Sequence, residues 1–178
     1  MLLNRQQLDP GFDEFVHDRS KVLLRTAFLL VGDRGHAEDL LQTALLRTAQ
    51  RWRHAREHPE AYARQVLVNL ARDRWRRSRR RVTEQSTDAM PAAPPSHQDH
   101  SDAVVDRDMI LRALALLPQR QREVVVLRFF ADLSVADTAA AMRTSEGTVK
   151  SYTSRALDQL RRALGDDTAV GYAEENYV

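Results

Sequence analysis

Two stretches of this chain gather side chains that can bond to phosphates and to base edges. In the first, Asn69, Arg72, Arg74, Trp75, Arg76, Arg77, Arg79 and Arg80 crowd guanidinium groups around one amide and one indole. Guanidinium groups attract a polyanion by releasing its condensed counterions, and a flat aromatic can stack on an unpaired base. For Trp75 the spacing leaves a second reading open, packing against the preceding helices. Between Arg47 and Arg81, twelve arginines stand against Glu57, Glu60 and Asp73, a net nine positive charges. Such a cluster repels itself unless an anion covers it, which favours nucleic acid over a merely solvated face. In the second stretch, Thr148, Lys150, Ser151, Ser154 and Arg155 offer small hydroxyls and two cations. That set suits the floor of a major groove, where short donors read base edges and cations hold phosphates.

Other chemistries lack their residues. The chain has no cysteine, which removes disulfides and thiolate metal sites and makes no demand for an oxidising compartment. The six histidines are scattered, and His97 and His100 sit in a polar, proline-rich segment that offers no frame for a metal. A phosphate-cradling glycine loop and a nucleophile elbow are both missing. No catalytic centre, cofactor or metal site is therefore expected. Apolar runs such as Ala27 to Val31 are far shorter than a membrane span, and the first residues lack the charged and apolar blocks of an export signal. A reducing cytoplasm is the expected location.

Helices must position both stretches. Ser134 to Arg162 reads as a helix-turn-helix. Ser134 is a helix N-cap, with Asp137 in the first turn and Val135, Thr138, Ala139 and Met142 facing inward. Arg143 and Thr144 make a sharp reversal, and Ser145 caps a second helix whose buried stripe is Val149, Ala156, Leu157 and Leu160. Thr148, Lys150, Ser151, Ser154 and Arg155 are left facing outward. Small residues at Ala139, Ala140 and Ala141 permit close helix approach.

Upstream, Phe12, Phe15, Val16, Val22, Leu23, Ala27 and Leu30 recur at threes and fours, predicting an amphipathic helix that stops at Gly32. Asp33 caps a second helix, from Arg34 to about Arg53, with Ala37, Leu40, Leu41, Ala44, Leu45, Thr48 and Trp52 inward. Its apolar coverage is wider than one stripe requires. Periodicity alone leaves open whether the surplus is a broad core face or a docking face for a partner. Pro59 and Glu60 begin a third helix, with Ala63, Val66, Leu67, Leu70 and Ala71 inward and the arginine run at its end. Residues 82–106 hold three prolines and five acids with no Lys or Arg, the composition of a flexible tether. Beyond it, Met109, Ile110, Ala113, Leu114 and Leu117 mark one helix. Pro118 opens another, with Val124, Val125, Leu127 and Phe130 as its apolar set. The last residues, 165–178, form an acidic tail with four acids and no cation. The expected fold is all-α: two small helical domains, residues 1–81 and 107–164, joined by a flexible acidic linker.

The order of these parts resembles a known family. HAEDLLQTALLRTAQRW, then PEAYARQVLVNLARDRWRRSRRR, then LPQRQREVVVLRFFADLSVADTAAAMRTSEGTVKSYTSRALDQLRRAL are similar to the two domains of the extracytoplasmic-function (group 4) sigma factors of the sigma-70 family, actinobacterial SigE-type members among them. The resemblance implies a promoter-specificity subunit of RNA polymerase, responding to stress or envelope signals. It implies that Glu38, Asp39, Leu40, Gln42, Thr43, Leu46 and Arg47 grip the coiled coil of the polymerase beta-prime subunit, with the beta flap as a further contact. Asn69 to Arg80 would open and read the minus-10 element, Asn69 at a base edge and Arg72, Arg74, Arg76 and Arg77 on backbone. Thr148, Lys150, Ser151, Ser154 and Arg155 would read the minus-35 element. Tyr152 stands where many relatives carry arginine, which removes one contact of the usual set. An anti-sigma protein is the implied inhibitor. The competing reading is a free-standing helix-turn-helix regulator. It would need a separate sensing domain, and the first eighty residues show helical periodicity where an alternating strand-helix receiver would be required.

Overall fold

The structure is a computed structural model that describes residues 9–84 and 102–164. Of the tether expected at residues 82–106, the ends are helical, 82–84 closing one helix and 102–106 opening the next; residues 85–101, His97 and His100 included, lie outside the described residues, as does the acidic tail. Among the described residues there is no strand, and the helices form two compact units.

The first unit is built on α1 (Pro10–Val31), α2 (Arg34–Gln50), a single turn α3 (Trp52–Ala55) and α4 (Pro59–Glu84). Local chemistry sets the boundaries. Asp9 accepts the Gly11 N–H at 2.9 Å ahead of Pro10, which supplies a pre-set φ at the first helical position. Gly32 ends α1 in the left-handed conformation, φ 76°, with its N–H on the Phe28 carbonyl at 2.7 Å. Asp33 then caps α2 by accepting the His36 N–H at 2.8 Å.

The stripes of α1, α2 and α4 meet in one core: Phe12, Phe15, Leu23, Ala27, Ala37, Leu40, Leu41, Ala44, Ala63, Val66 and Leu67. Leu23, Leu67 and Val68 are sealed from solvent, each burial contributing about 1.5–3 kcal/mol. Two expectations are corrected here. Val22 is 40% exposed, although Thr26 and Leu29, one and two turns on along the same side, are buried with Leu23, Ala27 and Leu30. The second helix ends at Gln50, short of Arg53: Arg51 leaves helical geometry at φ −110°, and Trp52 turns onto Phe12 and Phe15, with ring centroids 5.2 and 5.9 Å away.

The second unit is built on α5 (Asp102–Ala115), α6 (Gln119–Val125), α7 (Val135–Met142) and α8 (Glu146–Leu164). A π-helical turn, Val126–Phe130, extends α6. Glu123, Val124, Val125, Val126 and Leu127 are all buried, so the buried run crosses from α6 into the π-helical turn. Arg122 fastens α6 to the end of α5, donating from Nε to the Leu114 carbonyl at 2.8 Å and from Nη2 to the Ala115 carbonyl at 3.2 Å. Burial lowers its pKa, and the two helix-end carbonyls, of which Leu114's also accepts the Leu117 N–H at 3.2 Å, satisfy the guanidinium. Met109, expected inward, is 46% exposed, since Ala113, Leu114 and Leu117 already fill the inner face.

Candidate nucleic-acid interface

Helix α4 changes character along its length. Ala63, Val66, Leu67, Val68 and Ala71 are buried; beyond Ala71 the helix has no buried residue through Arg80. The expected contacts lie on this projecting half. Asn69, Arg72 and Arg74 are half-buried at its root, and Trp75, Arg76, Arg77, Arg79 and Arg80 are exposed. Trp75 stands outside the core at 38% exposure, with the Arg79 guanidinium carbon 4.7 Å from its ring centroid. A cation over one indole face holds the ring and leaves it amphipathic. Asp73 works inside the row: its carboxylate accepts from Arg76 at 3.0 Å and its carbonyl from Arg77 Nε at 3.3 Å. Arg72 lies 3.5 Å from the Asn69 side-chain oxygen, so the one amide of the set is aimed by a neighbouring cation.

A contact that sequence reasoning missed links α4 to α2. Arg74 Nη2 reaches His36 Nε2, and His36 Nδ1 lies 2.7 Å from the Asp33 carboxylate. Asp33 is held below the ordinary carboxylate pKa, first by the His36 backbone N–H it accepts, with the charges of His36 and Arg74 adding to this and its partial burial opposing it. The only sequence signal was the cap itself.

The solvent face of α2 carries Glu38, Asp39, Gln42, Leu46 and Arg47, with Thr43 half-buried beside them. Leu46 is 46% exposed, a large apolar side chain amid polar ones. Leu40 does not belong to this face. It lies in the core at 8% exposure, because it shares the helical register of Ala37, Leu41 and Ala44.

In the second unit, Ser134 Oγ accepts the Asp137 N–H at 3.0 Å and donates to the Asp137 carboxylate at 2.6 Å, closing a reciprocal cap on α7. Arg143 adopts φ 52°, and the Thr144 N–H reaches back to the Ala139 carbonyl at 3.0 Å, so the reversal is a left-handed helix end without glycine. Ser145 Oγ accepts the Thr148 N–H at 3.2 Å and pairs with the Thr148 hydroxyl at 2.8 Å. Val149, Thr153 and Ala156 are buried, Leu157 and Leu160 half-buried, and α8 packs against α6 and α5. Thr153 was absent from the expected stripe; its hydroxyl is satisfied by the Val149 carbonyl at 2.9 Å, which makes burial cheap. Lys150, Ser151, Ser154 and Arg155 all face solvent and Thr148 is half-buried, so one exposed face of α8 holds the whole expected set.

Family comparison accounts for both units. Residues 15–81 match the model described as Sigma-70 region 2, and residues 107–160 match Sigma-70, region 4. The chain is 41% identical over 155 residues to the RNA polymerase sigma-E factor of Streptomyces coelicolor, spanning 86% of this chain and 85% of that one. It is 35% identical over 157 residues to the ECF RNA polymerase sigma factor SigL of Mycobacterium tuberculosis, spanning 83% and 85%. Its fold is similar to the sigma factor RpoE solved with the anti-sigma factor NepR from Bartonella quintana, with TM-score 0.67, 24% identity and coverage of 88% and 98%. CnrH, solved with the cytosolic domain of CnrY, aligns with TM-score 0.61, 21% identity and coverage of 88% and 89%.

Proposed function

The chain belongs to the extracytoplasmic-function sigma factors of the sigma-70 family, and from that premise we propose a division of labour among its exposed faces. It is an RNA polymerase sigma factor, joining core polymerase and directing initiation at specific promoters. The solvent face of α2, Glu38, Asp39, Gln42, Thr43, Leu46 and Arg47, docks on the beta-prime coiled coil, and the second unit meets the beta flap. The projecting half of α4 captures the melted minus-10 strand, with Trp75 and Asn69 at bases and the arginines on backbone. The outer face of α8 reads the minus-35 duplex. The chain works in the cytoplasm without a catalytic centre or cofactor of its own. The intervening residues act as a tether, and an anti-sigma protein is the expected inhibitor, a reading favoured by a similarly folded sigma factor having been solved with an anti-sigma factor.

The observation that carries this reading is the run-off of α4: its first half is core and its second half presents cations and an indole to solvent. No packing need explains a helix continued that far into solvent, whereas a single-stranded polyanion does. The test is in vitro transcription by core polymerase with and without the chain on a promoter library. Arg155→Ala is expected to weaken use of the upstream element. Asp39→Ala and Gln42→Ala are expected to lower core affinity and leave sequence preference unchanged. If all three alter sequence preference alone, the assignment of faces fails. Tight specific binding to duplex by the free chain, with no effect on core polymerase, would instead favour a stand-alone regulator.

A further inference from the structure

The contact between the first turn of α2 and the root of the α4 cation row has a direction. Asp33 Oδ1 accepts the His36 backbone N–H at 2.8 Å and lies 2.7 Å from His36 Nδ1. A carboxylate can only accept, so Nδ1 carries a hydrogen, and in the neutral form of the ring Nε2 is then left as the acceptor. Arg74 Nη2 sits 2.5 Å from that nitrogen, and a guanidinium can only donate. The three groups form one chain of donors and acceptors, Arg74 to His36 to Asp33. The cap of α2 thereby fixes the tautomer that aims a cation on α4. Arg74, like Arg72, is half-buried, whereas Arg76, Arg77, Arg79 and Arg80 are exposed, so it sits at the root of that row.

We infer that His36 is a positioning residue for promoter opening: its Nε2 lone pair, set by Asp33, holds the Arg74 guanidinium in the orientation that meets the DNA backbone. The inference rests on the reading of α4 as the minus-10 helix. It also ties the α2 helix proposed to grip polymerase to a DNA-facing cation through one side chain, so that the two faces share a fixed register.

Asparagine reaches only as far as Nδ1, keeping a donor for Asp33 and losing the acceptor for Arg74; glutamine reaches the Nε2 position and restores an acceptor. The full chain carrying His36→Asn, His36→Gln or Arg74→Ala is assembled with core polymerase, and strand opening is read by permanganate reactivity of promoter thymines. Core affinity and the thermal midpoint are measured alongside. His36→Asn is expected to lower opening about tenfold, the scale of one hydrogen bond to a charged group, and to add no loss in an Arg74→Ala background. His36→Gln recovers most of the opening, and core affinity and midpoint stay at the parent values. Equal losses for Asn and Gln would overturn the inference, since ring packing would then be the cause. Loss in Arg74→Ala with none in His36→Asn would also overturn it and leave the reading of α4 intact. No loss in Arg74→Ala would overturn the reading of Arg74 and the inference with it.

Discussion

A carboxylate that accepts two hydrogen bonds from one residue is favoured in its charged form, and Asp33 accepts both the backbone N–H and the ring Nδ1 of His36. Its folded pKa lies below the ordinary 3.8, so its contribution to stability is fully present above that value and is lost as pH falls through the folded pKa. Asparagine is an equally good N-cap but carries no charge. Asp33→Asn should therefore be less stable than the parent at neutral pH, with the gap closing as pH falls below the ordinary carboxylate value and through the lowered folded one. Urea unfolding at stepped pH reads the gap directly, and a constant gap would assign the effect to shape. Because the side chain is 44% exposed, solvent screening keeps the effect small. At this scale the sequence announced some roles and concealed others. Asp33 as a cap was legible, since Asp between Gly32 and a periodic run has a local meaning. His36 was not, because its role depends on Arg74, thirty-eight positions away in the chain.

Helix boundaries are where local chemistry is loudest, and Gly32, Asp33, Pro59, Pro118, Ser134 and Ser145 all mark ends that the structure places at those residues or one beside them. What stayed hidden are features set by packing across elements. The break at Arg51 goes with Trp52 joining the Phe12 and Phe15 rings, and the π-helical turn carries the buried run of α6 on through Val126 and Leu127. Neither leaves a glycine or proline in the chain. Likewise Leu40, assigned to the docking face by family resemblance, is core by register, as the periodicity of α2 had already indicated. The α8 cap yields a quantitative expectation. Ser145 Oγ satisfies the Thr148 N–H and holds its hydroxyl, so Ser145→Ala should destabilise the second unit by about 1 kcal/mol. Ser145→Asp should retain the stability, because an aspartate accepts the same N–H and favours the positive helix end. Denaturant unfolding followed by helical signal measures both. Alanine without cost would mean that the α8 terminus is held by packing alone.

Across the whole molecule the formal net charge is only +2, yet Arg47 to Arg81 carries a net nine positive charges. A protein with that balance is not a general polyanion binder; its attraction is local and falls off within about 10 Å at ordinary salt. Composition alone would have hidden this, while position along the chain and the exposed end of α4 reveal it. The two units also divide the electrostatic work. The face of α8 offers Lys150 and Arg155 among hydroxyls, a modest charge suited to reading a duplex, whereas α4 exposes Arg76, Arg77, Arg79 and Arg80 together. Salt dependence separates these contributions. For the polymerase assembly on a promoter, the logarithm of the binding constant should fall linearly with the logarithm of salt. Replacing Arg76 and Arg77 by glutamine should flatten that slope by about 1.4, since each phosphate contact on a single strand contributes about 0.7. Asp39→Ala, on the face proposed to dock on polymerase, should leave the slope of promoter binding unchanged once assembly is saturated. An unchanged slope in the double arginine variant would mean that those guanidiniums do not meet phosphate, and the projecting half of α4 would need another purpose.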